Sequence, residues 1–301
     1  MARNGSLDIS RVLAAFGIVL FHAKAPGGVI GYAGLPFLLM VLLVLAIPVA
    51  RIRDYSTFSK DRAFRLLRPW LIWSAFYGGL KLLEVLLTTK TLQSEFSISM
   101  LLTGTALHLW FLPFAFVLSL SVPAIVGLWD RAGHAGHIGM TSACLALCLI
   151  SLGWQQGKTL PVPLAQYCYI LPAAGLGLAI GLNWEPRDAR WQGILASSAC
   201  LGLATALGYR EGLLQLSVAC SALLLCLAFP LPDTGFSRLC AKYSLTVYLL
   251  HPLALSLLDR MLHLPLDSLL RPLIAMATSL IAAVLLDYRQ YGLPRSRIKT
   301  S

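Results

Sequence analysis

Charge is scarce in this sequence. Asp, Glu, Lys and Arg make up 12% of its 301 residues, and only 13 residues are acidic. A soluble domain carries about 25% charged residues, so a sizeable soluble domain is excluded. No loop is long enough to fold by itself, and there is no internal repeat. There is no CxxC pair, and no two histidines stand in a His-x-x-x-His spacing. The seven cysteines (Cys144, Cys148, Cys168, Cys200, Cys220, Cys226 and Cys240) lie in or beside apolar segments. That odd, dispersed set argues against a disulfide framework or a zinc ribbon and reads as small hydrophobes in helix packing.

What is present is hydrocarbon: 57% of residues are hydrophobic and the mean hydropathy is +0.75. The pattern predicts an all-α, polytopic integral membrane bundle. Ten segments are long enough to cross a bilayer, near 7–24, 34–50, 69–88, 106–128, 139–155, 162–182, 190–208, 212–230, 240–261 and 268–287. Arg3 and Arg11 ahead of an apolar stretch, with Ala23-Lys24-Ala25 behind it, mimic a cleaved signal peptide. Pro26 would make a poor junction and more spans follow, so the segment reads as a retained helix. Residues 1–287 form a single transmembrane domain in this reading, and 288–301 a short, basic cytoplasmic tail.

The net charge of +11 does not point to nucleic acid, because the basic residues fall in loops between apolar spans. Most of them, including Arg3, Arg51, Arg53, Lys60, Arg62, Arg65, Arg68, Arg238 and Lys242, share the side of the N-terminus. Lys24, Lys90, Lys158, Arg210, Arg260 and Arg271 fall on the other side. Positive charge accumulates on the cytoplasmic face, which places both termini inside.

Two ionisable residues interrupt the first span, SLDISRVLAAFGIVLFHAKAP. Arg11 and His22 are eleven residues apart, which on a helix is about 20° of rotation and roughly 16 Å of rise. Asp8, three residues before Arg11, can pair with it on the same stripe. Ionisable groups in a span usually face protein or a wet cavity. The stripe is either a structural ion pair with an interfacial histidine, or a polar channel wall with a proton-transfer group at its outer end.

In this orientation His22, His108 and His251 all fall in the outer half of the membrane, with Glu84 at similar depth. Three readings stand: a three-histidine metal site, which no spacing supports; three histidines individually satisfied in helix interfaces; or an outward-facing polar pocket. Trp110, Tyr243 and Tyr248 suit a sugar-binding pocket by aromatic stacking, or an interfacial aromatic belt. Arg62, Arg65 and Arg68 in FSKDRAFRLLRPW are spaced by three, a loose stripe that binds either phosphate or anionic lipid.

Taken in order, these features resemble the membrane-bound acyltransferase 3 family, whose members O-acetylate bacterial surface polysaccharides. The motifs are Arg11 to His22, Arg62-Ala63-Phe64-Arg65 with a second copy ending at Arg68, His108 to Pro113 (HLWFLP), and Ser244 to Pro252 (SLTVYLLHP). One departure is the second span, GLPFLLMVLLVLAIP, which lacks the family's Ser-Gly-Phe. The resemblance implies a multi-pass enzyme of the bacterial inner membrane. It implies acetyl-CoA, or another acyl-CoA, docked by its phosphates on Arg62, Arg65 and Arg68, with no metal. His22 then acts as general base along the Asp8, Arg11, His22 stripe. Glu84, His108, Trp110, Tyr248 and His251 stand toward a glycan or lipid-linked saccharide acceptor, with membrane lipid and polysaccharide-synthesis proteins as partners. The competing classes are a transporter or flippase of a glycan or anionic substrate, and a non-catalytic member of a polysaccharide-synthesis complex.

Overall fold

The computed structural model describes residues 3–184, 190–261, 265–266 and 268–291. Most of the expected tail, 292–301, and most of EPRDAR (185–190) therefore lie outside the described residues. Helix follows helix throughout: α1 Gly5–His22, α2 Gly28–Gly31, α3 Gly34–Ile52, α4 Tyr55–Arg62, α5 Arg68–Leu87, α6 Leu92–Glu95, α7 Met100–Thr103, α8 Phe111–Leu120, α9 Val122–Arg131, α10 His134–Gln155, α11 Leu164–Trp184, α12 Arg190–Ala206, α13 Leu213–Ala228, α14 Gly235–Met261 and α15 Leu270–Tyr291. Among the described residues, seven helical stretches are long and apolar enough to cross a membrane. At the remaining positions where the hydropathy pattern predicts spans stand α12, α13 and α14. Helix α13 has 16 residues and rises about 24 Å, short of a hydrocarbon core near 30 Å. Helix α14 has 27 residues but carries Arg238, Lys242, Asp259 and Arg260.

The chain gathers into two compact units. In the first, Leu35–Leu225, α10 packs along α11, and α12 lies against both. Helix α11 also meets α3 closely: a Cβ at Gly177 would stand 3.0 Å from the Cα of Met40. Small residues let backbones approach where lipid supplies no hydrophobic drive between helices. From Tyr55 to Leu87 the chain is one apolar helical run of 33 residues, rising roughly 50 Å against a core of about 30 Å. Its basic beginning therefore extends past the hydrocarbon. A π-turn, Ala63–Leu67, interrupts it, with the Arg68 N–H donating to the Ala63 carbonyl. Pro69 explains the break. It has no N–H to offer the Arg65 carbonyl, so the α-helical ladder cannot run through that position.

In the second unit, the residues up to Gly34 and those from Cys226 onward, α1 packs along α14, and α15 covers both. The core between them is built from Ala15 and Val19 of α1, its cap residue Ala23, Val247, Ala254, Leu255 and Leu258 of α14, and Ala275 of α15. Helix α1 begins at Asn4, whose side chain accepts from the N–H groups of Ser6 and Leu7, an N-cap that satisfies otherwise orphaned donors. The Gly5 N–H donates to the Leu231 carbonyl at 2.9 Å, and the Ser6 hydroxyl donates to the Phe229 carbonyl at 2.6 Å. After His22 the chain doubles back on α1: a Cβ at Gly31 would stand 2.6 Å from the Gly17 carbonyl oxygen, so this crossing requires glycine.

Candidate active site

The second unit holds two polar clusters, one at each end of α1. At the start of α1, Asp8 is buried and accepts from Arg3 Nε at 2.6 Å, with Arg11 Nη1 at 3.5 Å. An acidic residue in the first turn also suits the helix dipole. Arg3 lies 3.5 Å from Asp233, and Asp233 is held by Arg238 through a two-pronged contact at 2.7–3.1 Å. The Arg238 hydrogen bond keeps the Asp233 carboxyl below the usual carboxylate range, with the charges of Arg238 and Arg3 adding to it. Asp8 thus bridges two arginines, one of which is linked onward to Asp233 and Arg238.

At the far end of α1 stands His22. Its ring centroid lies 5.1 Å from that of His251, tilted by 34°, and 6.4 Å edge-on from that of Tyr32. Tyr32 stacks on Phe21 at 4.0 Å. His22 is exposed, while His251 and Tyr248 are buried.

The YLLHP run accounts for how His251 is held. Pro252 lies inside α14 and has no N–H for the carbonyl four residues earlier, that of Tyr248. His251 Nδ1 takes that carbonyl instead, at 2.7 Å. A carbonyl can only accept, so Nδ1 carries the proton, which leaves Nε2 as the acceptor nitrogen whenever the ring is neutral. A helix-breaking proline and a histidine in adjacent positions therefore fix both the ring's orientation and its tautomer.

The stripe that joins the two clusters is not a polar wall. Between Arg11 and His22 its side chains are Ala15 and Ile18, exposed by 0% and 1%. Ala15 belongs to the apolar core that α1 shares with α14 and α15. The physical reason is the helix pairing itself: the face that carries Arg11 and His22 also buries α1 against α14.

Tyr243, also in the second unit, donates its hydroxyl to Asp287 at 3.2 Å; the first unit holds Glu84, His108, Trp110 and the three loop arginines. His108 sits in a 3-10 turn, Leu107–Trp110, buried, with its ring 5.1 Å edge-on from Tyr77. Trp110 is also buried and packs against Phe111, Phe114 and Tyr167, with centroids 5.8–6.1 Å away. Its ring is thus engaged in an aromatic cluster. Glu84 pairs with Lys90 at 3.0 Å, and Lys90 also reaches Glu95 at 2.9 Å. Arg62 lies over the Phe58 ring at 4.9 Å and Arg68 over the Phe64 ring at 4.7 Å. Arg65 is exposed, 3.7 Å from Asp61. The two stacked guanidinium groups are held in place by aromatic faces.

Among the described residues, no three His, Cys, Asp or Glu side chains converge as a metal site. What the second unit assembles is an exposed imidazole beside a buried one held by the Tyr248 carbonyl. The sequence matches the family described as Acyltransferase domain, acyltransferase 3, over residues 4–288. The chain belongs to the acyltransferase 3 family. It is therefore a membrane-bound acyltransferase, and an acyl donor and an acceptor are its substrates. No curated protein and no solved structure gives a significant match.

Sequence reasoning did not single out Tyr32, Asp233, Asp259 or Arg271. Arg271 carried a usable signal. It reads as a loop cation at the edge of the last span, yet LLRPLIAM is an apolar run, and an ionisable residue inside such a run marks a site. Tyr32 carried only a faint one, the glycines around it that permit a close return of the chain.

Proposed function

We propose that this chain transfers an acetyl group from cytoplasmic acetyl-CoA to a hydroxyl of an extracytoplasmic glycan, in a bacterial inner membrane that it crosses ten times with both termini inside. The observation that carries the reading is the approach of His22 to His251 at the end of α1, in a chain of this family. His22, the exposed member, takes the proton from the acceptor hydroxyl as the oxygen attacks the thioester carbon. The carbon–sulfur bond breaks, and the proton passes from His22 to the departing thiolate. His251, locked with its proton on Nδ1, holds a lone pair at Nε2 beside this exchange. Tyr32 and Tyr248 bring phenolic hydroxyls to the same end of α1, the donor type that a developing oxyanion needs.

Arg62, Arg65 and Arg68 are the proposed contacts for the donor's phosphates. Asp8 and Arg11 stand at the inner end of α1. The stripe between Arg11 and His22 is closed by Ala15 and Ile18, so the pantetheine arm reaches His22 by a route other than that stripe. Glu84, His108 and Trp110 are the further proposed contacts for the glycan acceptor.

The test is mass spectrometry of the surface glycan from cells expressing the wild-type chain or His22→Ala. The expected result is loss of ester-linked acetyl with the protein still present in the membrane fraction. Full acetylation by the variant would remove His22 from the base role.

A further inference from the structure

Arg271 lies in the first turn of α15, and its side chain is 3% exposed. Its Nη1 donates to the Ala23 carbonyl at 2.9 Å, and its Nη2 pairs with Asp259, whose side chain is 51% exposed. A cation at a helix N-terminus opposes the helix dipole, and Asp259, near the C-terminal end of α14, opposes it too. Burying a guanidinium costs several kcal/mol, whereas a neutral donor would satisfy a carbonyl equally well. Such conflicts between local preference and placement mark functional positions.

Ala23 is the residue directly after His22 and the cap of α1. The Lys24 N–H donates to Phe21 O at 3.0 Å and the Ala25 N–H to Leu20 O at 3.1 Å. That is the paired bonding of a Schellman ending. It places Lys24 in the left-handed region, φ 57°, at a position glycine usually fills. The turn satisfies the carbonyls of Leu20 and Phe21, and Arg271 takes the Ala23 carbonyl. The end of the helix that presents His22 is thereby tied to α15 and, through Asp259, to α14, the helix that carries His251.

We propose that Arg271 is a positioning residue for acyl transfer: braced by Asp259, it holds the Ala23 carbonyl and so sets the angle at which the His22 imidazole meets His251. The proposal rests on the reading of His22 as base. Its test does not depend on that reading, because the primary readout is the chemistry of the His22 ring and not turnover.

The full-length chain, purified in detergent, is treated with diethyl pyrocarbonate across a pH series. Carbethoxylation is followed by mass spectrometry at His22, with the exposed His134 of the first unit as internal standard. In Arg271→Gln the His22 rate, relative to His134, is expected to change severalfold or its pH midpoint to move, because the reagent reads how accessible and how basic the unprotonated ring nitrogen is. Arg271→Lys, which keeps a cationic donor, should restore most of the wild-type profile. With acetyl-CoA as donor, the same Gln variant should lower kcat and leave the donor KM unchanged. An unaltered His22 profile in folded Arg271→Gln overturns the proposal. If that variant does not fold, Asp259→Asn is read by the same criteria. Loss of the function reading shows separately, as acetyl transfer that survives His22→Ala.

Discussion

Single residues in this chain are placed by charge as much as by packing, and Asp233 shows the consequence for pH. Arg238 holds its carboxyl below the ordinary value, so the folded state binds a proton at Asp233 less readily than the unfolded state does. The sign follows: the contribution to stability is full above the unfolded value near 3.8 and is lost as the pH falls through the lower folded value. Asp233 is accessible to solvent, so the effect is small in size and screened by salt. Its partner Arg3 also bonds Asp8, however, and protonation therefore loosens the group at the start of α1. Asp233→Asn should flatten the fall in melting temperature between about pH 5 and pH 3 at low salt, by lowering the melting temperature slightly at pH 7 and leaving it little changed at the acid end. Differential scanning fluorimetry across that range checks it; an unchanged slope would mean that other carboxylates set the acid limb.

Among the elements, α14 shows how a motif becomes a geometry. Pro252 breaks the hydrogen-bond ladder of its own helix, and His251 repairs the break with Nδ1. Replacing Pro252 with Ala returns an N–H to the Tyr248 carbonyl. That bond stabilises the helix by roughly 1 kcal/mol, and it competes with Nδ1 for the same oxygen. Pro252→Ala should therefore melt no lower than the wild type and yet transfer acyl groups more slowly, by roughly ten- to a hundredfold if His251 loses its setting. A variant as active as the wild type would show that the proline serves the helix path and not the ring. The same logic explains what the sequence hid at Arg62, Arg65 and Arg68. Three-residue spacing reads as one helical stripe, but Pro69 forces a π-turn just where the stripe would form. Arg62 and Arg68 then settle on Phe58 and Phe64. Propensity and spacing describe a regular helix, and the departure arises from one missing N–H.

For the whole molecule, the all-helical membrane class follows from composition alone, and Arg11 and His22 declare themselves as charges in an oily run. The approach of His22 to His251 was not readable, because sequence fixes depth along a helix but not which helices pair. Depth alone grouped His108 with them, whereas its described ring partner is Tyr77. Arg271 was lost to a boundary, since a shift of a few residues turns a loop cation into a buried one. Orientation, by contrast, is set by charge outside the bilayer and is testable without any knowledge of packing. The long helical run from Tyr55 begins with Lys60, Arg62, Arg65 and Arg68, and carrying that cluster across hydrocarbon costs roughly 2.5–3.5 kcal/mol per residue on insertion scales. The last turn of α9 adds Arg131, and the start of α14 adds Arg238 and Lys242. With these on the cytoplasmic side, an even number of crossings returns the C-terminus to that side. Fusions after residue 301 should then give a fluorescent green fluorescent protein and an inactive alkaline phosphatase, since the first folds in the cytoplasm and the second matures only outside it. An alkaline phosphatase inserted after Lys158 should be active. The reverse pattern at either site would invert or renumber the spans, and with them the assignment of His22 to the outer half of the membrane.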